Sequence, residues 1–160
     1  MAAQLGRRGR ALIRRVTAEE IRPLRHRVLR PAQPFEETAY PGDDLADTLH
    51  LGAFAEEGRL VGIASLYPED RGGGPGGGWR LRGMATDPDV RGAGFGAALL
   101  GASLEHVASS GGTELWCNAR MSAVGFYRGA GFEVLGDEFD VPGIGPHVVM
   151  AREVTVASNR

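Results

Sequence analysis

The chain contains no lysine, so all 18 of its Lys+Arg positions are arginine. That absence excludes Schiff-base chemistry on a lysine amine and the lysine-dependent phosphate cradle of a P-loop. Cys117 is the single cysteine. No intramolecular disulfide can form, and a reducing cytoplasm is the simplest compartment. The four histidines and one cysteine show no Cys-x-x-Cys or His-x-x-x-His spacing, so no metal site is expected. No apolar run is long enough to span a bilayer. The N-terminus carries Arg7, Arg8 and Arg10 without the apolar stretch of a secretory signal, so a soluble cytoplasmic protein with no membrane partner is expected. An excess of positive charge is also missing: the formal charge is −2 and the pI about 6.1. A nucleic-acid partner, which needs a basic face to displace counterions, is thereby disfavoured against small molecules or peptides.

What is present fits one compact α/β or α+β domain over residues 1–160, with residues 1–10 as a flexible tail. Ala11–Val16 reads as a strand. Thr17 and Glu20 form a capping box that opens a helix to about Leu29, and Pro31 stops it. Pro31–Asp47 has no clean periodicity and reads as a long connection. Leu49–Ala55 and Leu60–Tyr67 are strands joined by a turn at Glu56–Arg59, and Trp79–Thr86 follows a glycine tract, Arg71–Gly78, read as a hairpin loop. Ala97, Leu100, Leu104 and Val107 mark a helix over Gly92–Ser110. Strand Glu114–Asn118, a short helix at Ala123–Arg128, a stop at Gly131, and strands Phe132–Phe139 and His147–Arg152 complete the chain. The order predicts a mixed, mostly antiparallel sheet of about six to seven strands with helices on both faces.

Between the third strand of the meander and the helix stands Arg91-Gly92-Ala93-Gly94-Phe95-Gly96. Its glycines lack the Cβ atoms that would block close approach, and the helix start offers unpaired N–H groups at a positive dipole end. Together they suit a pyrophosphate, with Arg91 as a charge partner. Gly92, Gly94 and Ala97 also satisfy a dinucleotide fingerprint, but that motif directly follows the first strand of a parallel βαβ half, whereas an antiparallel meander precedes this one.

Three stretches carry a resemblance to the Gcn5-related N-acetyltransferase (GNAT) superfamily: Leu81–Pro88, Arg91–Gly96, and Ala123–Phe132 with its Phe126-Tyr127 pair and Gly131-Phe132. Leu24-Arg25-His26-Arg27-Val28, Asp43-Asp44, His50 and Gly145-Pro146-His147 further resemble a small bacterial subgroup typified by the ElaA protein. Arg30-Pro31-Ala32 departs from that subgroup's pattern. The resemblance implies an acetyl-CoA-dependent N-acetyltransferase that acts by direct amine attack in a ternary complex. Met84, Ala85 and Thr86 would offer backbone groups to the pantetheine arm, and Arg91, Gly92, Ala93, Gly94, Phe95 and Gly96 would hold the pyrophosphate. Asn118 would approach the cofactor where central strands splay, and Tyr127 would protonate the departing thiolate.

The amine must lose a proton, so a base or a water chain is needed. The resemblance places the loop of Glu36, Glu37, Asp43 and Asp44 beside the acceptor, with Glu37 and Asp44 as candidate bases and Glu36 as an acceptor contact, while His50 and His147 are further candidates, either as base or as acceptor contacts. Clustered acids favour a cationic small-molecule or peptide amine. Nothing next to Cys117 points to a depressed pKa or a covalent relay. The resemblance leaves room for a homodimer, and for a non-catalytic acyl-CoA sensor that kept the loop and lost the chemistry.

Overall fold

A computed structural model describes residues 4–8, 11–73 and 76–155. Among them lie β1 (Gln4–Arg8), β2 (Ala11–Val16), α1 (Ala18–Leu29), β3 (Leu49–Phe54), β4 (Leu60–Pro68), β5 (Gly78–Thr86), α2 (Phe95–Ser109), β6 (Glu114–Arg120), α3 (Val124–Gly129), β7 (Glu133–Val141) and β8 (Gly145–Glu153). β1–β2, β2–β3, β3–β4, β6–β8 and β7–β8 pair antiparallel, and β5–β6 pair parallel. The architecture is thus the mixed, mostly antiparallel α/β arrangement expected. Gln4–Arg8, expected in a flexible tail, form β1 instead, against Ala11–Arg14. The rest of that tail, and Gly74 and Pro75 of the glycine tract, lie outside the described residues.

The chain forms two compact units, Met1–Tyr67 with Leu81–Glu105, and Pro68–Arg80 with His106–Arg160. Strand order is β1-β2-β3-β4-β5 in the first and β5-β6-β8-β7 in the second, with β5 contributing to each.

In the first unit, two glycines show how the sheet is covered. Residues that face each other across an antiparallel pair point to the same side, and their neighbours along the strand to the other. Gly52 pairs with Ile63 and Ala53 with Gly62. A Cβ on Gly52 would stand 2.8 Å from Leu60 and 2.9 Å from Val16, on the side where Ile21 and Leu24 of α1 pack with Phe54, Ile63 and Ala85. A Cβ on Gly62 would stand 2.9 Å from Leu99 of α2. The two helices therefore cover opposite faces, each approaching where a glycine leaves room. α1 starts as read: Thr17 Oγ1 accepts from Glu20 N–H, and Glu20 returns the bond to Thr17 N–H.

In the second unit Val107, Leu115 and Met150 are fully buried. Gly112 allows α2 to turn into β6 there, since a Cβ would fall 2.6 Å from Val107 and 2.7 Å from Trp79. Among the described residues, no helix is long and apolar enough to cross a membrane.

Ile63 sits with no exposure at the centre of the α1-facing core. Ile63→Ala should lower unfolding free energy by about 2–4 kcal/mol, read as a reduced urea midpoint at unchanged slope. A loss below about 1 kcal/mol would show that this face is not the packed core.

Candidate active site

β5 ends at Thr86, and the following residue is pinned. Asp87 N–H donates to the Val61 carbonyl at 2.7 Å. Its carboxylate accepts from Asp89 N–H at 3.0 Å, Arg27 at 3.1 Å and Arg59 at 3.3 Å. The Asp89 N–H, helped by the two arginines and opposed by burial, holds the Asp87 carboxyl below the ordinary range. From this anchor the chain makes a short turn, Pro88–Val90, and enters the glycine loop.

Gly92 and Gly94 adopt φ of +86° and +91°. Left-handed residues cannot continue a right-handed helix, so α2 begins at Phe95 rather than at Gly92 as the sequence suggested. A Cβ on either glycine would meet no protein atom within 4 Å, so their Cβ directions open outward. Phe95 buries its ring, which leaves its backbone N–H as what it can offer a ligand. The first turn of α2 holds no acidic residue. Its N–H groups have no carbonyl one turn earlier in the helix, and they carry the positive end of the dipole. A loop of this shape is able to cradle an anion.

Upstream in β5, Gly83 takes φ +64°, a left-handed kink that glycine adopts without penalty. Met84 and Thr86 beyond it are half-buried, and Ala85 is buried. The space on the Cβ side of Gly83 is taken: a Cβ would lie 3.2 Å from Arg25 Nε and 3.4 Å from the Tyr40 ring.

Arg25 has no solvent exposure. Its Nη1 donates to the Thr38 carbonyl at 2.7 Å and to Asp43 Oδ2 at 2.8 Å, and its Nη2 to Asp43 Oδ1 at 3.3 Å and Ser65 Oγ at 3.1 Å. Asp43 also accepts from the Tyr67 hydroxyl at 2.6 Å and from Tyr40 N–H at 2.8 Å. Burial pushes the Asp43 carboxyl up, but Arg25, Tyr67 and the Tyr40 N–H together outweigh it and hold the carboxyl below the ordinary range. Burial and the bond to Asp43 push the Tyr67 phenol well up. His50 closes the network. The Asp43 carbonyl can only accept, so His50 Nε2 donates to it, at 2.9 Å, while Nδ1 meets the Ser65 hydroxyl at 2.7 Å.

In the second unit, β6 pairs with β5 only through Glu114–Trp116 and keeps its register with β8 up to Arg120. Asn118 is exposed on this stretch. Tyr127, at the inner side of α3, is 8% exposed, with its ring against Phe126 and Phe132 at 5.2 and 5.4 Å. Its hydroxyl shares a hydrogen bond with the buried Cys117 thiol. Burial raises both groups, the phenol strongly and the thiol to about 12. Both stay protonated at neutral pH, so the phenol can give a proton and the thiol is no nucleophile. His147 is buried on β8, its Nδ1 2.8 Å from the Gly145 carbonyl and its ring 6.0 Å from Phe139.

The acids of the long connection divide. Glu36, Glu37 and Asp44 are exposed, whereas Asp43 is an interior ion-pair partner. His50, expected to face an acceptor, is instead an interior link with both ring nitrogens engaged at 5% exposure. Arg25, a buried hub that is not among the site residues expected from the sequence, still carries a signal in its position. Ile21, Leu24, Arg25 and Val28 fall on one stripe of α1 at helical spacing, and an arginine on an apolar stripe needs internal acceptors.

A family model described as an acetyltransferase (GNAT) domain matches residues 14–154. The chain is 38% identical over 142 residues to YitI, an uncharacterized N-acetyltransferase of Bacillus subtilis (strain 168), across 86% of this chain and 93% of that protein. Escherichia coli ElaA shares the fold at TM-score 0.70 and 20% identity, over 86% of this chain and 93% of that one. An aminoglycoside 6'-N-acetyltransferase complexed with coenzyme A does so at TM-score 0.67 and 16% identity, over 92% and 99%.

Because its folded pKa is depressed, Asp43 contributes stability that is complete above the ordinary value of 3.8 and is lost as pH falls through the lower folded value. Asp43→Asn should cost about 3–5 kcal/mol at pH 7, since it breaks a buried pair. The same change should flatten the decline of stability below pH 3.8. Urea unfolding of both proteins across the acid range measures this, and equal acid slopes would show that Asp43 is not an ionised partner of Arg25.

Proposed function

The chain belongs to the GNAT acetyltransferase family and is thus an acetyl-CoA-dependent acyltransferase, and from that premise we propose that it acetylates an amine of a small molecule or peptide in the cytoplasm, by direct attack in a ternary complex. The single run of the family model over residues 14–154 supports reading the chain as one catalytic domain. The observation that carries the proposal is the loop at the start of α2. Two left-handed glycines open outward there, beside the positive end of a helix whose first turn holds no acid. An aminoglycoside 6'-N-acetyltransferase of the same fold holds coenzyme A, which agrees with that assignment.

Acetyl-CoA supplies an activated thioester carbonyl. The backbone of Arg91–Gly96, with the exposed Arg91 side chain, holds the pyrophosphate, while backbone groups of Met84, Ala85 and Thr86 orient the pantetheine arm and Asn118 approaches the cofactor. The amine nitrogen bonds to the carbonyl carbon, and the C–S bond breaks. Tyr127 gives its hydroxyl proton to the departing sulfur. Its raised pKa alone would make it a reluctant acid, but dry surroundings that raise the phenol raise the proton affinity of the thiolate as well. The exposed carboxylates Glu37 and Asp44 take the proton of the amine, directly or through water, and Glu36 and His147 contact the acceptor. Acidic residues on that loop suit a cationic acceptor.

Acetyl-CoA at about a hundredfold its dissociation constant should stabilise the fold by roughly 2.7 kcal/mol, and NAD or ATP should not. Gly94→Val should abolish that effect, because its side chain would occupy the open space of the cradle. Gly58 supplies the control, with the same φ of +91° and nothing near its Cβ, in the turn between β3 and β4. Gly58→Val should lose about 1–2 kcal/mol of stability to the same backbone strain and keep acetyl-CoA binding. If both variants bind acetyl-CoA like the wild type, the loop is only a turn.

Tyr127→Phe should lower turnover about 10²-fold at nearly unchanged acetyl-CoA affinity. An amine panel with mass-spectrometric detection supplies the acceptor, and single-turnover rates give the readout. Full turnover in the variant would leave Tyr127 as a packing residue. Thiol release with no amine in the panel, beside intact acetyl-CoA binding, would favour a sensor over an enzyme.

A further inference from the structure

We infer that Arg25 is a positioning residue for the acyl end of the cofactor, acting through the Gly83 kink of β5. This rests on the acetyl-CoA reading above. If the pyrophosphate lies at Arg91–Gly96 and the pantetheine arm along Thr86 to Met84, the arm runs toward decreasing residue number, and its thioester comes to the Gly83–Met84 turn. The peptide groups that can meet the thioester carbonyl are therefore aimed by the backbone angle at Gly83, where φ is +64°.

Gly83 packs against an unusually constrained group. The Arg25 guanidinium binds the Thr38 carbonyl, both Asp43 oxygens and Ser65, and its plane lies 3.8 Å from the centre of the Tyr40 ring. Arg82, the residue before Gly83, stacks on the same ring at 4.1 Å. Arg25 Nε has no hydrogen-bond partner among the described residues and stands 3.2 Å from where a Cβ on Gly83 would be. A buried N–H is left unbonded while every other donor of the fork is satisfied, which indicates that the fork is placed by Asp43 and Thr38 rather than by β5. The kink cannot relax into the space that Arg25 and Tyr40 fill. One guanidinium thus fixes two segments together, Thr38–Asp43 and the Gly83 turn.

Stability and positioning can be separated with three substitutions. Arg25→Lys keeps the charge but cannot span Thr38, Asp43 and Ser65 at once, and Asp43→Asn unseats the fork without touching β5. Tyr67→Phe removes a bond to the same carboxylate and a long 3.4 Å contact from Arg25 Nη2, but keeps the shorter bonds of the fork to Thr38, Asp43 and Ser65. Arg25→Lys and Asp43→Asn should weaken acetyl-CoA binding by calorimetry about 10-fold or more, the scale seen when a supporting shell is removed. Amide hydrogen exchange should quicken at residues 38–43 and 82–86, with α2 unaffected. Tyr67→Phe should lower the melting temperature while keeping wild-type acetyl-CoA affinity. Should Arg25→Lys fail to fold, Asp43→Asn carries the same expectation. Affinity that follows melting temperature across all the folded variants would reduce Arg25 to a structural role and overturn the inference. Unchanged exchange in both segments would overturn it as well. A wild type that binds no acetyl-CoA would instead overturn the cofactor reading beneath it, while the exchange data still decide whether Arg25 fixes the two segments.

Discussion

A guanidinium with no solvent exposure leaves the surrounding chain little choice. Arg25 lies on the inner stripe of α1 between Leu24 and Val28, so its charge must be met inside the protein. Water would have solvated it, and an apolar interior would penalise it heavily. The partners come from two places in the chain: the Thr38 carbonyl, the Asp43 carboxylate and the Tyr40 ring of the 38–43 connection, and the Ser65 and Tyr67 hydroxyls of β4. The long connection after α1 is therefore not a free loop. Its middle is tied to the interior by Asp43, while Glu36, Glu37 and Asp44 on either side stay at the surface. This division leaves an exposed acidic surface on a connection tied to the interior.

The proposed cofactor site rests on a second division along β5 and the segment after it. Ordinary strand geometry would point every peptide group into the ladder. The left-handed glycines at 83, 92 and 94 break that regularity. Gly83 does so against a filled interior, whereas Gly92 and Gly94 open to space. A filled side suits a place where geometry must be held, and an open side a place where a ligand must enter. Asp87, fixed by Val61, Asp89, Arg27 and Arg59, keeps the segment between them in register.

Much of this was legible in the sequence, for physical reasons that differ by element. The capping box at Thr17 and Glu20 is local, so it could be read from two side chains and formed as read. The glycine loop is legible because glycine is the residue that adopts its backbone angles most readily. Apolar spacing does not report the sign of φ, so it extends the helix behind the loop three residues too far, to Gly92. Glycines at 52 and 62 said little in one dimension, since what they accommodate comes from Val16, Leu60 and Leu99. The acids at 43 and 44 could not be told apart by type, and only the reach of Arg25 across the fold makes one interior and leaves the other exposed. His50 is ambiguous in sequence for the same reason, because its partners, Ser65 and the Asp43 carbonyl, are fixed by strand pairing and by the folded connection.

The claim on which the rest stands is that an acyl-CoA lies along the end of β5 and the start of α2. Backbone amide NMR during titration with coenzyme A tests it residue by residue. The account predicts the largest shifts at Gly92, Gly94, Phe95 and Gly96, with a second group at Met84, Ala85 and Thr86, and saturation at one equivalent. Shifts that leave both segments unchanged, or that centre on the Asp70–Gly78 tract instead, would contradict it.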